Sequence, residues 1–190
     1  NSEILKEFGI TNGERYAIVR FVSWKAIHDA GEVALDSWKK KQIVKTLSNK
    51  YRVLITSEGE LPDSLEAHRL RGPAHKIHHI INYADLLVGE SATMASEAAV
   101  LGIPSVFIAK TGRGYTDEQE RRYGLVNYFK DDQYEQAINC IRNLASSNTR
   151  EFGHKARSKL LMGVPCWPKP TGPPASHGLI PSGPKDGPTV

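Results

Sequence analysis

Short apolar runs alternate with amphipathic stretches along most of this chain. Tyr16 to Val22 (YAIVRFV) is rich in β-branched and aromatic residues, follows the turn pair Asn12-Gly13, and predicts a strand. Arg52 to Thr56, Asp85 to Gly89, Pro104 to Ala109 and Leu125 to Phe129 predict four more. Between them, Asp36 to Asn49 carries Trp38, Ile43, Val44 and Leu47 at helical spacing, with Asp36 placed to cap. Helices are also predicted over Leu61 to His68, Lys76 to Tyr83, Thr93 to Leu101 and Asp117 to Tyr123. Asp131 to Leu144, capped by Asp131 or Asp132, and Arg150 to Leu161 complete the set. Strands alternating with helices predict an α/β fold, a doubly wound parallel sheet. In such folds ligands bind at the strand C-terminal ends. The loops after Val22, Thr56, Val88 and Ala109 are therefore the ones to inspect.

The pattern stops at Gly163. Eight of the eleven prolines lie between Pro165 and Pro188, interleaved with glycine and almost without periodic apolar positions. The expected division is a folded domain over 1–162 and a disordered tail over 163–190, with no function assigned to the tail. The chain opens on Asn1, without an apolar leader, so its start is expected to be internal to a longer product.

The formal charge of +4 over 190 residues is mildly basic. It suits a phosphate-bearing ligand or peripheral contact with an anionic membrane face. Lysines and arginines are too scattered for a nucleic-acid surface. Cys140 and Cys166 have no metal-site or disulfide-framework spacing, so a reducing, cytoplasmic compartment is expected, at or near the inner face of a membrane.

The stretch Gly89-Glu90-Ser91-Ala92-Thr93-Met94-Ala95-Ser96-Glu97 concentrates the chemistry. It places small residues between a strand and a helix. Gly89, Ser91 and Ala92 allow a ligand close to the backbone. The unpaired N–H groups at the helix start, from Ser91 through Met94, favour an anion. Glu97, about one turn into the helix, can accept hydrogen bonds from two sugar hydroxyls. Phosphate and ribose together describe a nucleoside diphosphate. The plainer alternative is an ordinary capped helix, with Ser91 or Thr93 as cap and Glu97 in a capping box.

The run Tyr83-Ala84-Asp85-Leu86-Leu87-Val88-Gly89, followed by Ser96-Glu97-Ala98 and Leu101-Gly102-Ile103-Pro104, resembles the sugar-nucleotide motif of GT-B glycosyltransferases. That superfamily includes the lipid-linked N-acetylglucosaminyltransferase of peptidoglycan synthesis and the UDP-sugar 2-epimerases. With Val19 to Asp29 and Ser57 to Pro62, the chain is more closely similar to an uncharacterised prokaryotic family of predicted GT-B glycosyltransferases. The resemblance covers roughly Tyr16 to Tyr128. It departs at Glu90 and Ser91, where the superfamily commonly has glycine.

The resemblance implies the Rossmann-like C-terminal half of a GT-B fold, with the N-terminal domain lacking here. It implies a nucleotide-sugar donor, a UDP-sugar foremost, a ribose contact at Glu97 and a diphosphate at Ser91 to Met94. Metal-independent transfer to a glycan or lipid-linked acceptor would then belong to the full-length protein. No cofactor and no metal is expected, and the catalytic base, which comes from the other domain, cannot be named. The isolated chain is expected to bind donor weakly and transfer nothing. A nucleotide-sugar 2-epimerase and a non-catalytic partner-binding module with a degenerate site remain alternatives.

The other candidates are weighed residue by residue. Arg20 suits bidentate phosphate contact, against a surface ion pair as its plain reading. Ser23 and Ser57 can hydrogen-bond a ligand. His28, beside Asp29, is an acid/base candidate or a simple cap. His75, His78 and His79 lack an acidic third ligand, which favours a surface helix over a metal site. A backbone contact from Ile77 or His78 to uracil fits the resemblance. Lys110 to Tyr115 (KTGRGY) lacks the spacing of a phosphate-binding P-loop and reads as a mobile loop near the donor sugar. No GxGxxG follows the first strand, which disfavours a dinucleotide oxidoreductase.

Overall fold

The computed structural model describes residues 3–23 and 34–162. Its frame is five strands: β1 (Tyr16–Phe21), β2 (Arg52–Ser57), β3 (Leu86–Gly89), β4 (Ser105–Ile108) and β5 (Val126–Phe129). All pair in parallel, in the order β2-β1-β3-β4-β5. Among the described residues eight α-helices accompany them: α1 (Ile4–Glu7), α2 (Ser37–Ser48), α3 (Asp63–Glu66), α4 (Ile77–Asn82), α5 (Ala92–Leu101), α6 (Gly114–Glu118), α7 (Tyr134–Ala145) and α8 (Thr149–Leu161). The predicted α/β fold is therefore present, and each predicted strand is found to within about a residue of its expected ends.

The sheet is buried on both faces because its strands are apolar at successive positions. Ile18, Leu54, Leu87 and Phe107 face a core shared with Ile80, Ile81, Ala95, Ala98 and Ala156. Ala17, Val19, Val53, Leu86, Val88 and Val106 face the other, completed by Ile43 and Leu47 of α2 and Ile138 and Ile141 of α7. The outer edge of β2 is covered: the Ile55 amide donates to His68 O at 2.8 Å, and the Leu70 amide donates to Ile55 O at 2.8 Å. Covering an edge removes a template for aggregation.

Several helix ends follow the sequence signals. Asp36 accepts from the Lys39 amide at 2.8 Å, as expected of a cap. Asp131 and Asp132 do not cap α7; a 3-10 turn over Asp131–Gln133 leads into it, and the Lys130 amide donates to Gln133 Oε1. The predicted helix over Asp117 to Tyr123 divides into α6 and a π-helical segment, Gln119–Tyr123.

Two features lock the frame away from the ligand edge. Asp85, 2% exposed, accepts from Arg15 Nε at 3.2 Å, Arg150 Nη2 at 3.1 Å and the Tyr16 amide at 3.3 Å. It therefore ties β1 and α8 to the start of β3. At the end of α5, Gly102 is left-handed (φ 81) and Gly153 of α8 packs against it; a Cβ on Gly153 would stand 1.9 Å from Gly102 O.

Partial burial pushes the Cys140 thiol up to about 12. Such a shift reduces the reactive thiolate on the order of a thousandfold against an ordinary thiol. In a Cys166→Ser variant, iodoacetamide at pH 8 is expected to label the native protein slowly and the urea-unfolded protein fully. Fast labelling of the native form would contradict this burial. Because the folded value is the higher one, this thiol's contribution to stability is complete below the unfolded value of roughly 8.5 and is lost as pH rises towards about 12.

Candidate functional site

The strand order reverses between β1 and β3, the position at which open α/β sheets bind ligands. A cleft of about 350 Å³, within the size of small-molecule sites, lies beside that position, at the C-terminal ends of β1 and β2 and against α4 and α5. Its polar floor is Arg20 from β1 with Thr56 and Ser57 from β2; Leu70, Ile77 and Met94 supply apolar wall. Ser57 also borders an adjoining cleft containing Ser23 and Glu58, so the two are continuous along the strand ends.

Of the expected residues, Arg20, Ser57 and Met94 line this cleft and Ser23 the adjoining one, whereas Gly89, Ser91, Ala92, Thr93, Glu97 and His78 line neither. Ser91 caps α5: its Oγ accepts from the Met94 amide at 3.3 Å. That donor is engaged, so within the predicted phosphate cradle the Ala92 and Thr93 amides are the ones an anion can meet. Gly89 serves strand packing. A Cβ there would lie 2.1 Å from Arg20 O, so the residue lets β1 and β3 close together.

Glu90, which stands where the superfamily has glycine, turns inward. It is 1% exposed, and its carboxylate accepts from the Leu35 amide at 2.6 Å and the Val22 amide at 3.1 Å. Its charge is spent on the backbone of the β1–α2 connection rather than aimed at the start of α5. Glu97 does not close a capping box. It lies one turn beyond Met94 on the same side of α5 and meets His78 Nε2 at 3.2 Å. Two expected ligand contacts are thus a pair bridging α4 and α5, both partly exposed.

Arg20 makes the ion pair that was its plainer reading: its Nη2 donates to Glu58 Oε1. The second Glu58 oxygen accepts from the Ser23 amide at 3.4 Å. Arg20 Nε is buried and meets no acceptor among the described residues. Ser57 Oγ donates to Gly59 O at 3.0 Å, a bond that uses its proton and leaves its acceptor capacity.

Among the described residues no group of three or more His, Cys, Asp or Glu is placed to hold a metal ion. No helix among them is long and apolar enough to cross a membrane. His28, with Trp24, Lys25 and Asp29, lies outside the described residues, as do Cys166 and the 163–190 stretch. Arg113 donates back to Thr111 Oγ1 at 2.7 Å and Gly112 O at 3.0 Å, bracing its own loop. The Glu58 and His78 partnerships escaped sequence reading because each joins segments distant in the chain.

No family model matches the chain, and no curated protein sequence matches it. Solved structures do. A glycotransferase of kitacinnamycin superimposes with a TM-score of 0.52 at 11% identity, over 80% of this chain and 40% of its own. The spinosyn rhamnosyltransferase SpnG, solved with thymidine diphosphate, gives 0.51 at 13% identity, over 79% of this chain and 43% of its own. A UDP-GlcNAc 2-epimerase from Methanocaldococcus jannaschii superimposes less closely, at 0.47 and 14% identity, over 85% of this chain and 50% of its own. This chain spans less than half the length of either glycosyltransferase. Its described residues have the fold of one Rossmann-like half of a GT-B glycosyltransferase.

Proposed function

We propose that this domain binds the nucleoside diphosphate of a sugar donor, a UDP-sugar foremost, and is the donor-binding half of a metal-independent glycosyltransferase. The observation that carries the reading is the cleft at the C-terminal ends of β1 and β2, next to the β1/β3 switch point. It brings Arg20, Ser57, Ile77 and Met94 together, and Glu97 follows Met94 by one turn of α5. The apolar wall suits a base, the partly exposed Glu97 carboxylate suits a ribose diol, and the Ala92 and Thr93 amides with Arg20 suit the phosphates. Positive groups at the leaving diphosphate stabilise developing charge without a divalent cation. The acceptor, a glycan or a lipid-linked sugar, and the base that deprotonates it belong in this reading to a second domain. The expected setting is the cytoplasm at the inner membrane face.

Two observations favour a second reading, a non-catalytic module. Arg20 is already paired with Glu58, and Ser91 already holds the Met94 amide. A 2-epimerase shares the donor half and differs only in product.

The test is calorimetry of the whole chain with UDP, GDP, CDP, dTDP and ADP. Selective binding of one nucleotide, UDP first, is expected. A folded protein that binds none of the five would replace the donor-binding reading by the non-catalytic one.

A further inference from the structure

Glu58 follows the last residue of β2 and sends its carboxylate across to β1. One oxygen accepts from Arg20 Nη2; the other accepts from the Ser23 amide. The arrangement is an anion held by a guanidinium and a backbone N–H, the first of them the group that the sequence offers to phosphate. Arg20 is the more buried partner, its side chain 20% exposed against 43% for Glu58. The cation is thus fixed in the strand, while the anion reaches it from an exposed loop. Arg20 Nε, buried and without an acceptor among the described residues, leaves the fork half used. A guanidinium is built to engage two oxygens of one oxyanion, which the present contact does not do.

We propose that the Glu58 carboxylate is an internal occupant of the phosphate seat, which an incoming diphosphate displaces from Arg20, and that this exchange makes the site selective for diphosphates. The proposal rests on the nucleoside-diphosphate reading for the identity of the ligand. Its physical core is charge counting. Trading one carboxylate for a weakly charged group gains nothing at Arg20. Trading it for a diphosphate, with more charge and more acceptor oxygens, gains Coulomb energy and fills Nε as well. A released Glu58 returns to solvent at small cost, because its exposure already screens the pair.

The probes are inorganic phosphate and pyrophosphate, titrated calorimetrically against the whole chain, with Glu58→Gln, Glu60→Gln, Arg20→Gln and the Arg20→Gln/Glu58→Gln double variant. Glu60 is an exposed carboxylate two residues away, so Glu60→Gln controls for net charge. Glu58→Gln is expected to tighten both anions by about tenfold, phosphate more than pyrophosphate, the size of one charged competitor withdrawn from a guanidinium. Glu60→Gln should change affinity less than twofold, and the double variant should lose the gain. Glu58→Asp, which keeps the charge but shortens its reach, should also tighten binding, and it carries the test if Glu58→Gln does not fold. Equal effects of Glu58→Gln and Glu60→Gln, or a gain that survives loss of Arg20, would overturn the proposal. Nucleoside diphosphate binding by the wild type without any gain in Glu58→Gln sinks the seat alone. A gain in Glu58→Gln, with no nucleotide bound by either protein, sustains the seat and sinks the donor reading.

Discussion

Glu97→Ala is expected to weaken nucleoside diphosphate binding by about 100-fold while leaving the fold intact. A charged carboxylate accepting two ribose hydroxyls makes two hydrogen bonds to an ionised group. At the lower end of their range, about 1.5 kcal/mol each, they sum to roughly 3 kcal/mol, or two decades in Kd. The fold should hardly notice, because the carboxylate's contact is with His78, a side chain 57% exposed, and such surface contacts are worth about 0–1 kcal/mol. Calorimetry and thermal unfolding on the same sample separate the two effects. A second arm is internal to the ligand: a 2′,3′-dideoxynucleotide should bind wild type and Glu97→Ala alike. If the variant binds the ribonucleotide as tightly as wild type, Glu97 has no ribose contact and the cleft must be occupied differently.

Gly89→Ala is expected to be the most damaging single-methyl change near the site. The added Cβ would stand 2.1 Å from the Arg20 carbonyl oxygen and 2.9 Å from Arg20 N. Both are backbone atoms of β1, held in register by Val19↔Val88 and Arg20↔Gly89 pairing. Neither can swing aside as a side chain would, so the strands must separate where the Glu90 amide donates to Arg20 O at 3.0 Å. Overpacking of this kind costs about 1–3 kcal/mol, and the positive φ of 157 at Gly89 adds to it. Urea unfolding should show the loss as a lower midpoint. The fraction still folded should bind nucleotide poorly, because the Arg20 guanidinium moves with its backbone. Gly114→Ala is the contrasting case: nothing lies within 4 Å of its Cβ position, and the residue opens α6. Removing helix glycine there should be neutral or slightly stabilising. Equal stability of Gly89→Ala and wild type would mean that the β1–β3 spacing is looser than drawn.

The strands were legible because burial on both faces requires uninterrupted apolar residues, and LLVG or SVFI has few other uses. Asp36 was legible as a cap because capping is local, spanning only Asp36 to Lys39. What escaped reading is what depends on tertiary approach. Helix α1 is four residues long, too short for a period to show. The inward turn of Glu90 depends on the amides of Val22 and Leu35, which only the folded chain brings near. The same holds for Arg20 with Glu58 and for His78 with Glu97. At Gly89, sequence reading found a special residue and assigned it the wrong neighbour: the backbone pressed against it is that of β1. The cleft was predicted at the correct edge because its place follows from topology, whereas its floor follows from side-chain pairings.

The strand order also bears on how the chain is made. Among the described strands β1 comes first in sequence, yet it lies inside the sheet. It pairs on one side with β2, Tyr16 to Arg52, and on the other with β3, Ala17 to Leu86. Parallel partners cannot be supplied by a hairpin, so each pairing waits for a long segment to close. During synthesis from the N-terminus, a nascent chain not yet extended past Gly89 has a half-covered YAIVRF strand with one ladder of amides and carbonyls unmet. Such an edge is prone to intermolecular pairing. The strand that fixes Arg20 therefore keeps an open edge until translation has passed β3.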